Sequence, residues 1–111
     1  MIGLRIADDV GIVDVDFGDF RELASSIGCE YVEFVICFIN GRKYRVICDE
    51  EYHLRERYRL NDPVVQFDDR HIFGPCIILG LGCNRERSLT EEEIQSLSEE
   101  LTDRIRRIGR Q

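Results

Sequence analysis

The stretch Tyr31-Val-Glu-Phe-Val-Ile-Cys-Phe-Ile39-Asn40-Gly41-Arg42-Lys-Tyr-Arg-Val-Ile-Cys48 decides the fold class. Residues 31–39 are β-branched and aromatic, with six consecutive apolar residues at 34–39. That composition predicts a strand covered on both faces and therefore central in its sheet. Asn40-Gly41 is the strongest short hairpin signal, because both central residues of a type I′ turn need positive φ. The return strand runs from Arg42 to Cys48. A two-residue turn sets the register, with Ile39 facing Arg42, Cys37 facing Tyr44 and Val35 facing Val46.

Upstream, residues 2–7 and 10–17 form a second hairpin around Asp8-Asp9. In its second arm Ile12, Asp14 and Asp16 alternate with Val13, Val15 and Phe17. Asp19 is placed to cap a helix over 20–27. Phe20, Leu23, Ala24 and Ile27 then form a buried stripe at i, i+3, i+4, i+7, and Gly28 ends it. Downstream, residues 49–63 are charged and contain the hinge Asn61-Asp62-Pro63. Strands are expected over 64–67 and 71–81, with Pro63 and Pro75 at a strand start, an edge or a bulge. Gly80-Leu-Gly82 is expected to be a turn.

The C-terminal helix is expected over 90–108. Thr90 and Glu93 form a capping box, and Leu89 with Ile94 a hydrophobic staple. Glu91, Glu92 and Glu93 oppose the positive end of the helix dipole, while Arg104, Arg106, Arg107 and Arg110 crowd the negative end. Ile94, Leu97, Leu101, Ile105 and Ile108 make one apolar stripe for packing on the sheet. Its alternative use is a coiled-coil seam in a homodimer. The expected fold is α+β, one domain over 1–111. It is a mainly antiparallel sheet built on hairpins, with a short helix and a longer C-terminal amphipathic helix packed on one face.

The chain has 111 residues, is 43% hydrophobic and 33% charged, and carries a formal net charge of -7. These values exclude default disorder. No apolar run approaches the ~20 residues of a membrane-spanning helix. Met1-Ile2-Gly3-Leu4-Arg5 does not resemble a secretory signal, so a cytoplasmic protein is expected. Six of the seven net negative charges fall in residues 1–40. That acidic third disfavours nucleic acid and anionic membranes. It suits plain solubility or a basic partner, for which Asp8, Asp9, Asp14 and Asp16 are the candidate binding surface.

Five cysteines stand at 29, 37, 48, 76 and 83. No Cys-x-x-Cys occurs, neither histidine has zinc-finger spacing, and the odd count argues against a disulfide framework. Cys37, Cys48 and Cys76 lie in apolar runs, where a free thiol behaves as a small hydrophobe. No phosphate loop, dinucleotide motif or serine elbow is present, so no cofactor, metal or catalytic residue is assigned. Asp49-Glu50-Glu51 and Asp68-Asp69 lack calcium-loop spacing and are expected to be solvated turns. His53 and His71 are expected at the surface. On an extended chain Arg55, Arg57 and Arg59 share one face beside Tyr58. They are the candidate site for a phosphorylated small molecule or nucleotide, or else pair with nearby acids.

Val46-Ile47-Cys48-Asp49-Glu50-Glu51 leads through a basic stretch to Leu60-Asn61. Ile72-Phe-Gly74-Pro-Cys-Ile-Ile-Leu-Gly80 and Arg87-Ser-Leu-Thr-Glu-Glu-Glu-Ile94 follow. This order, over roughly residues 30–100, resembles an uncharacterised (domain-of-unknown-function) family of small proteins from bacteriophages, plasmids and gut Gram-positive bacteria. Tyr52 stands where that family has a turn glycine. The resemblance implies a small α+β accessory protein of a mobile element in a bacterial host, and it transfers no catalytic residue. The expected function is binding, as an inhibitor or modulator of a host defence protein with a basic surface. The alternative is a holder of a phosphorylated ligand on the arginine cluster.

Overall fold

The structure, a computed structural model, describes residues 1–54 and 59–109. Its main layer is an antiparallel sheet. Strands β1 (Ile2–Ile6) and β2 (Val10–Asp14) form the first hairpin, β3 (Val32–Ile39) and β4 (Arg42–Asp49) the second. Strand β7 (Cys76–Leu81) runs between them, giving the order β2-β1-β7-β4-β3, and β8 (Glu86–Arg87) pairs with the end of β7. A smaller sheet has the order β6-β5-β9, from β6 (His71–Phe73), β5 (Pro63–Gln66) and β9 (Ile105–Arg107). Helix α1 (Phe20–Ile27) covers one face of the main sheet. Helix α2 (Glu91–Thr102) and residues of the small sheet cover the other.

Local signals produce what was expected of them. Asn40 and Gly41 have φ of 52° and 77°, and the hairpin register pairs Ile39 with Arg42, Cys37 with Tyr44 and Val35 with Val46. Asp19 accepts a bond from the Glu22 N–H at 3.1 Å. At the other end of α1 the amides of Gly28 and Cys29 bond back to Ser25 and Ala24, which satisfies carbonyls the helix leaves open. Thr90 and Glu93 make the reciprocal capping box. Pro63 opens β5, where its missing N–H does no harm.

Two cores follow from strand alternation. Leu4, Ile6, Cys37, Ile39, Val46, Cys76 and Ile78 face α2 with its Leu97 and Leu101. Ile47, Ile77 and Leu79 face α1 with its Leu23 and Ile27. The thiols of Cys37 and Cys48 are pushed up to about 12 chiefly by burial, and that of Cys76 is raised by the same cause. These three are packed, protonated hydrophobes, while Cys83 is exposed.

Five expectations are corrected. Strand β3 is the sheet's edge; the centre is β7, which pairs with both β1 and β4. The apolar run 34–39 therefore has one open side, and Ile36 and Phe38 are 39% and 37% exposed. Residues 71–81 are two strands in two sheets, split at Gly74-Pro75, where φ of Gly74 is 85°. Gly80 belongs to β7 and pairs with Arg87. The C-terminal helix stops at Thr102, and Ile105–Arg107 becomes β9 on the open edge of β5. The stripe is thus cut after Leu101. Leu97 and Leu101 are each 1% exposed inside the core, which leaves no coiled-coil seam. Phe20, at the first turn of α1, is 58% exposed and rests its ring on Phe34 at 5.3 Å.

Candidate functional site

After β4 the chain must reverse. The Asp49 carboxylate accepts a bond from the Glu51 N–H at 2.9 Å, a side-chain turn that starts the reversal. A 3₁₀ turn over Tyr52–Leu54 continues it. Tyr52 anchors this turn. It is 2% exposed, its hydroxyl donates to Asp62 at 2.9 Å, and its ring lies over Gly74. A Cβ on Gly74 would sit 2.6 Å from two ring carbons.

Two hollows open on either side of Asp49. One, of ≈ 480 Å³, is lined by Gly28, Cys29, Glu30, Asp49, Glu51 and Leu54. The other, of ≈ 390 Å³, lies between β3, the 3₁₀ turn and β6. Glu33, Glu50, Asp69 and Arg70 bring charge to it, and His53 and His71 also line it. The two histidines, 18 residues apart in the chain, thus share one wall, where Phe73 is ringed by His53 at 4.8 Å and His71 at 6.5 Å. The carboxylates of Glu30, Glu33, Glu50 and Glu51 make no ion pair among the described residues. Among the described residues the linings of the two hollows are mainly acidic, with Arg70 in the second. Among the described residues no group of three His, Cys, Asp or Glu side chains is placed to hold a metal ion.

The expected site residues are distributed otherwise. Asp8 and Asp9 occupy the exposed β1–β2 turn. Asp14, at the far end of β2, takes the N-terminal ammonium at 2.8 Å, and Asp16 accepts from the Gly18 N–H at 2.9 Å. The two pairs are separated by the length of a five-residue strand, about 17 Å. They bracket the open β2 edge and do not form one patch. Arg59 is spent internally: its guanidinium donates to the Gly28 carbonyl at 2.9 Å and lies 3.7 Å from Asp62. Arg55, Arg57 and Tyr58 lie outside the described residues. Asp68 is a structural turn residue, accepting from Gly41 N–H and Arg104, which together hold its carboxyl below the usual range.

One ion pair, between a buried carboxylate and a half-exposed arginine, had no sequence signal beyond the capping box. Arg87 on β8 grips Glu93 with two bonds of 2.6 and 3.0 Å, and its side chain fills the space beside Gly80 where a Cβ would stand. Glu93 is 4% exposed, and its carboxyl is held at about 2, first by Arg87 and then by the Thr90 N–H. A carboxyl lowered on folding stabilises the fold above its unfolded value of 4.5 and loses that contribution as pH falls toward about 2. Replacing Glu93 with Gln should cost about 2–3 kcal/mol at neutral pH. The gap to the parent should close in melts between pH 4.5 and 2. A gap that persists through that window would assign the loss to packing rather than to the charge.

No protein-family model, curated protein or solved structure matches this chain. What defines it is the arrangement described: an α+β domain with a mainly antiparallel sheet, a helix on each face, and paired acidic hollows at one end of the β3–β4 hairpin. No helix is long and apolar enough to cross a membrane among the described residues.

Proposed function

We propose that the protein acts by binding, capturing a basic segment of a host protein in the acidic hollows around Asp49 and so inhibiting or modulating that protein. The observation that carries the reading is the convergence of Glu30, Glu33, Glu50 and Glu51 on two adjoining cavities, beside a Leu54 that is 80% exposed. Carboxylates around an apolar anchor fit a lysine- or arginine-bearing segment with a neighbouring hydrophobe. The sequence's resemblance to phage and plasmid families supplies the context: an accessory protein of a mobile element, acting in the bacterial cytoplasm on a defence protein. The alternative, a phosphorylated ligand on the arginine cluster, is weakened by Arg59, whose guanidinium already closes the end of α1.

The test compares three immobilised proteins against a host extract: the parent, a Glu30→Lys/Glu50→Lys/Glu51→Lys variant, and an Asp8→Lys/Asp9→Lys variant. A basic protein should be retained by the parent and by the second variant, released by salt, and lost from the first. Equal retention by all three, or a bound phosphorylated molecule in native mass spectra with no protein, would overturn the reading.

A further inference from the structure

The main sheet has two open edges of different character. At β2 the strand is flanked at both ends by exposed aspartates, which repel a second copy of a chain carrying a net charge of -7. At β3 the one charged residue within the strand is Glu33. Because Ile39 and Arg42 close a two-residue turn, the odd-numbered residues of β3 direct their backbone groups to β4 and the even-numbered ones direct theirs outward. At Phe38 the outward groups are taken: its N–H donates to Asp69 and its carbonyl accepts from the Asp68 N–H. The outward N–H and C=O of Val32, Phe34 and Ile36 have no partner among the described residues. The free edge is therefore five residues long and centred on Phe34.

From this geometry we infer that the protein forms a two-fold dimer by antiparallel pairing of β3 with β3 of a second copy, Phe34 opposite Phe34 and Val32 opposite Ile36. This register is set by the chain itself. Centred on Phe34 it closes six backbone hydrogen bonds and leaves none of the outward groups open; centred on Val35 it closes four, because Phe38 is already occupied. It puts Glu33 opposite Val35 of the second copy, so no like charges face each other. It also brings the Phe20–Phe34 ring pair of each copy to the axis, where the two form one aromatic cluster. That accounts for the exposure of Phe20 on a chain that buries the rest of its α1 stripe. A five-residue strand pair is a small interface, so the dimer is weak and transient. The inference is argued separately from the proposed function, although Glu33 and Val35 of β3 also line one of the acidic hollows.

Sedimentation and amide exchange test it on the full chain. Mass should double between low micromolar and millimolar concentration, with the amides of Val32, Phe34 and Ile36 gaining protection over the same range. Ile36→Pro removes an outward N–H without breaking a bond to β4, so it should stay folded and monomeric at every concentration. Ile36→Lys, which keeps the backbone, should weaken the dimer at least tenfold and guards against a folding defect in the proline variant. A monomer at millimolar concentration, or a dimer whose three amides exchange as fast as in the dilute protein, would overturn the inference. So would protection that appears only with a foreign peptide strand.

Discussion

Replacing Leu101 with Asp should abolish cooperative folding at room temperature. Leu101 is 1% exposed and sits in the core between α2 and the main sheet, with Leu97, Leu4 and Ile78 in the same cluster. Removing its side chain alone forfeits about 2–5 kcal/mol, the range for a buried leucine cut back to alanine. A carboxylate in that place adds the expense of an unpaired charge, since Leu101 lies in an apolar cluster, and Glu93, two turns away on the same buried face, already takes Arg87. The total meets or exceeds the ~5–15 kcal/mol that stabilises most domains. Circular dichroism should show the loss, with Glu99→Ala on the exposed face of the same helix as a control that melts near the parent. A Leu101→Asp protein melting within a few degrees of the parent would show that α2 is not part of the core.

Gly74→Ala should destabilise by about 2–4 kcal/mol, from a left-handed backbone forced on an alanine and from overpacking. The new methyl would meet the Tyr52 ring at 2.6 Å, and that ring cannot retreat, because it is buried and tied through its hydroxyl to Asp62. Gly11→Ala is the matched control, since no atom lies within 4 Å of its Cβ position. Denaturant unfolding should separate the two, with Gly11→Ala within about 0.5 kcal/mol of the parent. Equal midpoints would mean that the crossing between sheets at Gly74-Pro75 is not a tight contact. The effect bears on the binding site as well, because Tyr52 holds the 3₁₀ turn between the acidic hollows. A folded Gly74→Ala protein should therefore also lose affinity for a partner.

What could be read from the chain alone was local. Asn40-Gly41 specified a turn type and with it the register of the 31–48 hairpin, because positive φ at two adjacent positions leaves few alternatives. Asp19, Gly28, Thr90 and Glu93 marked three helix ends, because open backbone groups need partners within a few residues. The burial of Cys37, Cys48 and Cys76 followed from their apolar neighbours. Where the C-terminal helix stops was not legible. Ile105 and Ile108 continue its spacing, yet the open backbone of β5 takes residues 105–107 as a strand. That choice depends on a partner some forty residues away.

The same separation applies to the sheet and to the site. A run of six apolar residues marks β3 as a strand, but whether it is central or an edge depends on which strand pairs with β4, and β7 takes that place. The acidic hollows join Glu30, Glu33, Glu50 and Glu51, from the open end of the β3–β4 hairpin, with His53 and His71, whose separation in sequence gives no hint of contact. Asp8, Asp9, Asp14 and Asp16 look clustered in the chain and are parted by an extended strand, since β structure spaces residues by about 3.3 Å each. For Arg59, open in the sequence between an anion site and internal pairing, the second holds: its half-exposed guanidinium donates to the open carbonyl of Gly28 and lies beside Asp62. By itself the sequence determined turns, caps and alternation, where the deciding interactions span a few residues. Only the tertiary structure decided edges, crossings and the grouping of charge, because those depend on contacts between segments that the chain keeps far apart.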